Sequence, residues 1–144
     1  MNRVRGDDEL WDTYAGAHIS CEANGHIVRL RGPRVDPLPS DPLFVLTAWN
    51  PGGVDRDRET NDEAERVLEA ELTGAGRAWW PADGRSPDDS WSEPGVAVAG
   101  LDRAAACALG ERYGQLAVYE LTGDLVRVVR CVDRAVYRER PRAG

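Results

Sequence analysis

The stretch FVLTAWNPGG at residues 44–53 decides the predicted fold, because it joins a strongly apolar segment to an abrupt polar stop. Residues 44–49 are almost all apolar, which predicts a strand that is buried on both faces. Asn50-Pro51 and the two glycines that follow should end this strand, since proline and glycine interrupt regular structure. The remaining elements are therefore placed relative to the end of this strand.

The segment after this stop predicts a helix, with Thr60 and Glu63 forming a capping box at its start and apolar residues recurring at helical spacing. Two strands are expected next, the first of them at a sheet edge because it contains Pro81. Asp102 is expected to cap a second helix that leads into a further strand. The predicted strands lie at 44–49, 77–82, 95–101 and 116–121, and the predicted helices at 60–75 and 103–113.

This order, β-α-β-β-α-β across residues 44–121, predicts an α+β protein with the ferredoxin-like split βαβ fold. Before it, residues 7–15 predict a helix with Leu10, Trp11 and Tyr14 on one side, and Asn24-Gly25 predicts a hairpin. The hairpin and a C-terminal strand should extend the sheet. The 144 residues are interpreted as a single domain, made of a helix and hairpin (1–31, strands at 17–23 and 26–31), an α/β core (44–131) and a frayed or helical basic tail (132–144).

The predicted topology brings the end of the 44–49 strand, the start of the first helix and several loops to one rim of the sheet. Seven residues that could hold a ligand are expected there: Asn50, Asn61, Trp80, Trp91, Glu93, Tyr113 and Gln115. Aromatic walls with a few fixed amides and one carboxylate are typical of a small-molecule site. The competing interpretation is structural, since asparagine favours turns and buried tryptophan usually belongs to a core.

Three functions are compatible with this rim and with the charge pattern. The first is a non-catalytic regulatory module that binds a small molecule or a protein. The second is a small hydrolase or transferase with Glu93 as acid/base and with Asn50 and Gln115 orienting the substrate. The third is a nucleic-acid-associated factor that works through the C-terminal arginines, although the net charge of −7 argues against nucleic acid and anionic membranes as partners.

No cofactor and no metal are expected. Asp55, Asp57 and Glu59 alternate like calcium ligands, but Thr60 stands where the loop of an EF-hand needs glycine. The three cysteines are far apart in sequence, which favours free thiols in a reducing cytoplasm, and no apolar stretch is long enough to cross a bilayer. Either a monomer or a dimer is compatible with the chain.

Several short motifs together resemble a bacterial family catalogued as domain-of-unknown-function family 3293. They are TAWNP at 47–51, Asn61, the Trp91-x-Glu93-Pro94 segment, Gly100, and Gly114-Gln115 before a strand. The resemblance covers about residues 44–121 and departs at Gly95, where serine is expected, and at Leu116, where asparagine is expected. It implies a small cytoplasmic bacterial protein and implies no particular activity.

Overall fold

The computed structural model describes residues 7–144, with side chains from Asp12 onwards apart from residue 53, so the packing predicted for Leu10 and Trp11 lies outside the described residues. Within this range the chain forms α1 (Asp7–Gly16), β1 (His18–Ala23), β2 (His26–Arg31), β3 (Leu43–Leu46), a short 3-10 helix (Pro51–Gly53), α2 (Arg58–Gly74), β4 (Trp79–Arg85), β5 (Ser92–Ala99), α3 (Arg103–Arg112), β6 (Ala117–Thr122), β7 (Leu125–Arg130) and β8 (Val136–Pro141). No helix in residues 7–144 combines the length and the apolar character that crossing a bilayer requires.

All eight strands belong to one antiparallel sheet with the order β2-β1-β4-β5-β3-β6-β7-β8. The apolar strands β3 and β5 lie at its centre, as their sequences predict. The sheet curls so strongly that its two edges meet just beyond β2 and β8. There the amide of Gly32 donates to the Arg142 carbonyl at 3.0 Å, and the amide of Gly144 donates to the Gly32 carbonyl at 3.0 Å.

The predicted ferredoxin-like split βαβ fold is therefore wrong, and the molecule is a curled, half-barrel sheet of eight antiparallel strands. A ferredoxin-like unit covers one face of a four-stranded sheet with two helices. Here the β1–β2 hairpin pairs with β4, and β7 and β8 continue the sheet beyond β6. Because the longer sheet curls, its second face can enclose a core of its own.

Two apolar cores lie on opposite faces of this sheet. On the outer face, α2 and α3 pack over Phe44, Leu46, Val96 and Val98. On the concave face, the alternate residues of the same strands point inward with side chains of the hairpin and of β6 and β7; they include Leu43, Val45, Ala97, Ile19, Leu30, Leu121 and Val126. This alternation is the period of two that a strand buried on both faces requires.

Two local predictions are confirmed by the backbone. Asn24 and Gly25 both have positive φ, at 54° and 78°, as a two-residue hairpin turn requires. Asp102 caps α3, where its carboxylate accepts from the Ala105 amide at 2.7 Å.

The predicted cap of α2 is wrong. The helix begins at Arg58, and Asp57 is its N-cap residue, since the Asp57 carboxylate accepts from the Thr60 amide at 3.0 Å and from the Thr60 hydroxyl at 2.6 Å. Thr60 therefore stands inside the first turn. Asp57, three residues earlier, caps the helix instead, because an ionised carboxylate is a stronger acceptor for the free amides of the first turn than a hydroxyl.

Two predictions about strands also need correction. The strand that contains Pro81 is interior, with β1 on one side and β5 on the other, although β1 pairs only with residues 82–85 and leaves Pro81 itself one neighbour. The tail is neither frayed nor helical, because residues 136–141 form β8 along β7. The side chain of Arg142 holds this end in place by donating to the carbonyls of Leu30, Asp36 and Gly123.

Candidate functional site

The chain leaves the sheet at the end of β3 through a tightly packed crossing with β5. The Thr47 hydroxyl donates to the Pro94 carbonyl at 2.6 Å. A Cβ atom on Gly95 would stand 2.5 Å from the Leu46 carbonyl oxygen, closer than any side chain tolerates. The close crossing therefore requires glycine at position 95. The family resemblance leads one to expect serine there.

Asn50 is the centre of a polar cluster at this crossing. It adopts a left-handed backbone conformation (φ 46°, ψ 59°), which asparagine tolerates better than most residues. Its Oδ1 accepts from the Asn61 amide group at 2.8 Å and from the Arg56 backbone amide at 3.0 Å, while its Nδ2 donates to Glu93 Oε1 at 3.0 Å. We call Asn50, Arg56, Asn61 and Glu93 the Asn50 network.

Asn61 locks this network from the first turns of α2. It is only 1% exposed, and its Oδ1 accepts from the Asn50 backbone amide and from Arg56 Nε, both at 3.0 Å. Arg56 also donates to the Ala48 carbonyl at 2.9 Å. A buried amide with both ends hydrogen-bonded fixes the groups around it, because any displacement leaves polar atoms unpaired.

Gln115 supports the turn from the opposite side. Its Nε2 donates to the Trp49 carbonyl at 2.9 Å. The adjacent Gly114 accepts from the Gly52 amide at 2.7 Å and, with φ of 71°, leaves no room for a side chain against Pro51. The connection between α3 and β6 is thus docked directly on the turn that follows β3.

Glu65 is a site residue that sequence reasoning missed. It is 6% exposed, its Oε2 accepts from the Ala48 amide at 2.8 Å, and its buried Oε1 has no hydrogen-bond partner in the described part of the chain. Burial raises the pKa of Glu65 to about 7, against the opposing effect of the two hydrogen bonds to Oε2. The helical spacing of Asn61, Glu65, Leu68 and Leu72, which form the buried face of α2, was a signal that could have found it.

A small cavity lies on the concave side of the sheet, beside Glu93. Its volume is about 50 Å³, room for a few water-sized groups. Two of its aromatic walls are in edge-to-face contact, since the rings of Tyr14 and Tyr119 are 6.2 Å apart at 78°. Besides backbone and aliphatic groups of the strands, the residues that line it are Tyr14, Thr47, Asp83, Trp91, Glu93, Gln115 and Tyr119. We call this space the Glu93 cavity.

On the other side of the Asn50 network, a shallow polar groove opens to the surface. Trp49, Asp55, Arg58 and Asp62 are among the residues that line it, together with Asn50, Arg56, Asn61, Ser92 and Pro94. Glu93 of the Asn50 network therefore lines the cavity, whereas Asn50, Arg56 and Asn61 line the polar groove.

The structure separates two of the seven predicted site residues from the others. Asn50, Asn61 and Glu93 are joined by hydrogen bonds, and Trp91, Glu93 and Gln115 line one cavity. Trp80 lies at the start of β4, opposite Ala97, because the strand runs to Arg85 instead of ending at residue 82. The Tyr113 hydroxyl donates to Glu71 at 2.9 Å on the helical face, where burial and this carboxylate raise its pKa to about 12.

The C-terminal arginines that suggested nucleic-acid binding are mostly engaged within the protein. Arg127 Nε donates to Glu139 at 2.8 Å, Arg130 pairs with Asp133 at 2.6 Å, and Arg142 is 4% exposed. Arginines that are already paired or buried are poorly available to bind the phosphate groups of a nucleic acid. As for metals, no group of three or more histidine, cysteine or acidic residues could hold an ion among the side chains described from Asp12 onwards, and Asp57 is occupied as a helix cap.

Fold and site together define a curled antiparallel sheet protein with an aromatic cavity and a fixed carboxylate on its concave side. A family model described as "Protein of unknown function (DUF3293)" matches residues 46–118, about half of the chain. The chain belongs to this family, as its motifs predict. The matched range holds the Asn50 network, Glu65 and Gln115. No curated protein and no solved structure matches the chain.

Proposed function

We propose that this protein is a non-catalytic binding module that takes one end of a small organic ligand into the Glu93 cavity, next to the turn after β3. The observation that carries the proposal is the position of Glu93, which lines an aromatic cavity while Asn50 holds one of its oxygens. A bacterial, cytoplasmic setting is part of the proposal. The family resemblance supports the first, and the free, buried state of the three cysteines supports the second.

Preorganisation of the carboxylate supports a binding role. Glu93 is oriented by Asn50, which is in turn fixed by the buried Asn61, so little side-chain entropy remains to be lost when a ligand docks. Sites that hold their polar groups through a second layer of hydrogen bonds bind with better-defined geometry.

The chemistry of the cavity wall indicates the class of ligand. A carboxylate accepts hydrogen bonds, and the faces of Tyr14, Trp91 and Tyr119 attract cations and apolar groups alike. The cavity is small, so we expect it to take a compact ammonium or amide group, with the rest of the ligand at the opening. Such a ligand also suits a protein with a net charge of −7.

The test is a thermal-shift and tryptophan-fluorescence screen with small primary amines, quaternary amines and primary amides. A saturable hit should weaken by about tenfold in Glu93→Gln, which removes the charge at nearly constant size. Trp91→Phe should reduce both the affinity and the fluorescence change. Trp79→Phe is the matched control, because Trp79 is half-buried like Trp91 but packs on the helical face.

Two outcomes would contradict this proposal. A hit with equal affinity in wild type and Glu93→Gln would remove the carboxylate from recognition. A folded protein that is silent to the whole panel would favour a protein partner at this surface, which a pull-down would then address.

A small hydrolase or transferase with Glu93 as acid/base is the second candidate, and the state of Glu65 favours it. With a pKa of about 7, the buried Glu65 could hold or release a proton near neutrality, and its pKa is also sensitive to the charge of Glu93. Asn50 and Gln115 would orient the substrate.

Turnover with a panel of ester, amide and phosphoester substrates should fall at least about 100-fold in Glu93→Gln and stay unchanged in Glu63→Gln, a surface control on α2. Binding that weakens without any measurable turnover in wild type would exclude this candidate.

A further inference from the structure

A second concave surface lies on the β1–β2 side of the sheet, in a region that the Asn50 network does not touch. It is lined by Arg29 and Arg31 of β2, Arg34 of the following connector and Arg85 at the end of β4, together with His18, Ile19, Ser20, Ile27, Gly32 and Pro33. We call it the arginine groove. No aspartate or glutamate is among these lining residues of the described chain, although acids exceed bases in the whole protein by seven.

Two of the four arginines already have carboxylate partners at the edge of the groove. Arg29 pairs with Asp36 at 2.9 Å, and Arg85 pairs with Asp83 at 2.5 Å. Both pairs are solvent-exposed, and their guanidinium groups are about half-exposed. Exposed pairs of this kind contribute little to stability and can share their cations with a second anion.

Arg31 is different, because it is partly buried and pairs with no carboxylate in the part of the chain whose side chains are described. Its Nη1 donates only long hydrogen bonds, to the carbonyls of Gly16 at 3.3 Å and Ala17 at 3.4 Å. Its Nε is buried and finds no hydrogen-bond partner among the described residues. Burial, with a smaller effect of Arg140, lowers the pKa of Arg31. The surroundings therefore disfavour the positive charge of its guanidinium group.

Arg34 adds a second uncompensated cation. It is exposed, and it makes no ion pair within the described part of the chain. A partly buried guanidinium without a carboxylate and a neighbouring exposed cation without a counter-ion, both among the described residues, leave this surface with uncompensated positive charge that favours an anion.

We propose that the arginine groove binds the phosphate group of a small phosphorylated molecule. Phosphate oxygens fit arginine particularly well, because the planar guanidinium donates two parallel hydrogen bonds to them. An anion here would neutralise Arg31 and Arg34 at once, and the Ser20 hydroxyl in the groove is a further possible donor. This proposal is independent of the Glu93 cavity, which has the opposite charge preference.

Calorimetric titration of the full chain with inorganic pyrophosphate at low salt tests the proposal. We expect one saturable site, with affinity about tenfold weaker in Arg34→Gln and weaker still in Arg31→Gln. Arg66→Gln is the matched control: it removes the same charge from an exposed position on α2, where Arg66 pairs with Glu63, and should change the affinity less than about twofold. If Arg31→Gln fails to fold, Arg34→Gln decides, because its side chain is exposed.

Titrations with AMP and ribose 5-phosphate then distinguish the sources of the phosphate, since a base that contributes should make AMP the tighter ligand. No heat with pyrophosphate at millimolar concentration would overturn the proposal. Equal weakening in Arg34→Gln and Arg66→Gln would overturn it too, because it would reduce the effect to net charge. Saturable binding of a single-stranded RNA without binding of pyrophosphate would replace it with a nucleic-acid surface.

Discussion

In the Asn50 network, every polar atom of the Asn61 side chain has a partner inside the protein, whereas in the arginine groove the buried Nε of Arg31 has none among the described residues. The network is closed and presents one carboxylate to an apolar cavity. The groove is open and leaves two cations without carboxylates among the described residues. The Asn50 network is rigid because its polar groups hydrogen-bond to one another. The arginine groove keeps positive charge that the described residues leave unpaired, and this charge attracts an anion from solution. This difference predicts that the protein binds two ligands of opposite charge, a cationic or neutral one in the Glu93 cavity and an anionic one in the arginine groove.

The largest expected effect comes from opening the network. Asn61→Ala removes the acceptor of the Asn50 amide and of Arg56 Nε, which leaves two partly buried donors unpaired. We expect the free energy of unfolding to fall by about 4 kcal/mol, measured by urea denaturation. Glu63→Ala, an exposed change on the same helix, should stay within about 0.5 kcal/mol. If the free energy of unfolding falls by the same small amount in Asn61→Ala and Glu63→Ala, the hydrogen bonds of the network do not hold the turn rigidly.

A smaller effect is expected from the pH dependence of Glu65. Its folded-state pKa of about 7 lies above the ordinary value of 4.5, so the folded protein binds more protons than the unfolded chain between these pH values. The stabilisation from protonated Glu65 is complete below about pH 4.5 and is lost as the pH rises through about 7, with a total of roughly 3 kcal/mol.

Glu65→Gln should remove this loss, because the amide cannot ionise. We expect the variant to be about 2 kcal/mol more stable than wild type at pH 8 and close to wild type at pH 5, from urea titrations at both values. Glu63→Gln should follow the wild-type profile. A wild type whose stability is flat or rises from pH 5 to pH 8, relative to Glu65→Gln, would contradict the burial of an ionisable Glu65.

The smallest expected effect sharpens the contrast between the two surfaces. Raising the salt concentration from about 50 mM to about 500 mM should weaken pyrophosphate binding by about tenfold, because exposed charges are screened within a few ångströms at high ionic strength. Binding in the Glu93 cavity should change by less than about twofold, since partly buried charges are screened less. Calorimetry with both ligands at the two salt concentrations makes the comparison. Equal salt dependence would mean that the two sites are not electrostatically distinct.

The candidate site was partly predictable because it is built on local signals. Asn50 follows an apolar strand and precedes proline and glycine, and Asn61 stands near a helix start, so both could be placed at the end of β3. Trp80 was misplaced because nothing local to PADGR shows that β4 continues through a proline and a glycine to Arg85. Glu65 was missed because a glutamate on a helix is ordinarily solvated, and only the packing of α2 over the turn buries it.

The sequence by itself determined the apolar strands β3 and β5, the Asn24-Gly25 hairpin, the cap of α3 at Asp102 and membership of the DUF3293 family. These features depend on side-chain periodicity and on backbone preferences within a few residues. Only the tertiary structure decided that eight strands form one curled sheet, that the tail becomes β8, and that Arg31 Nε and Glu65 Oε1 are buried without hydrogen-bond partners among the described residues. The physical reason is that strand pairing and desolvation depend on which distant surfaces meet, and local sequence patterns carry little information about that.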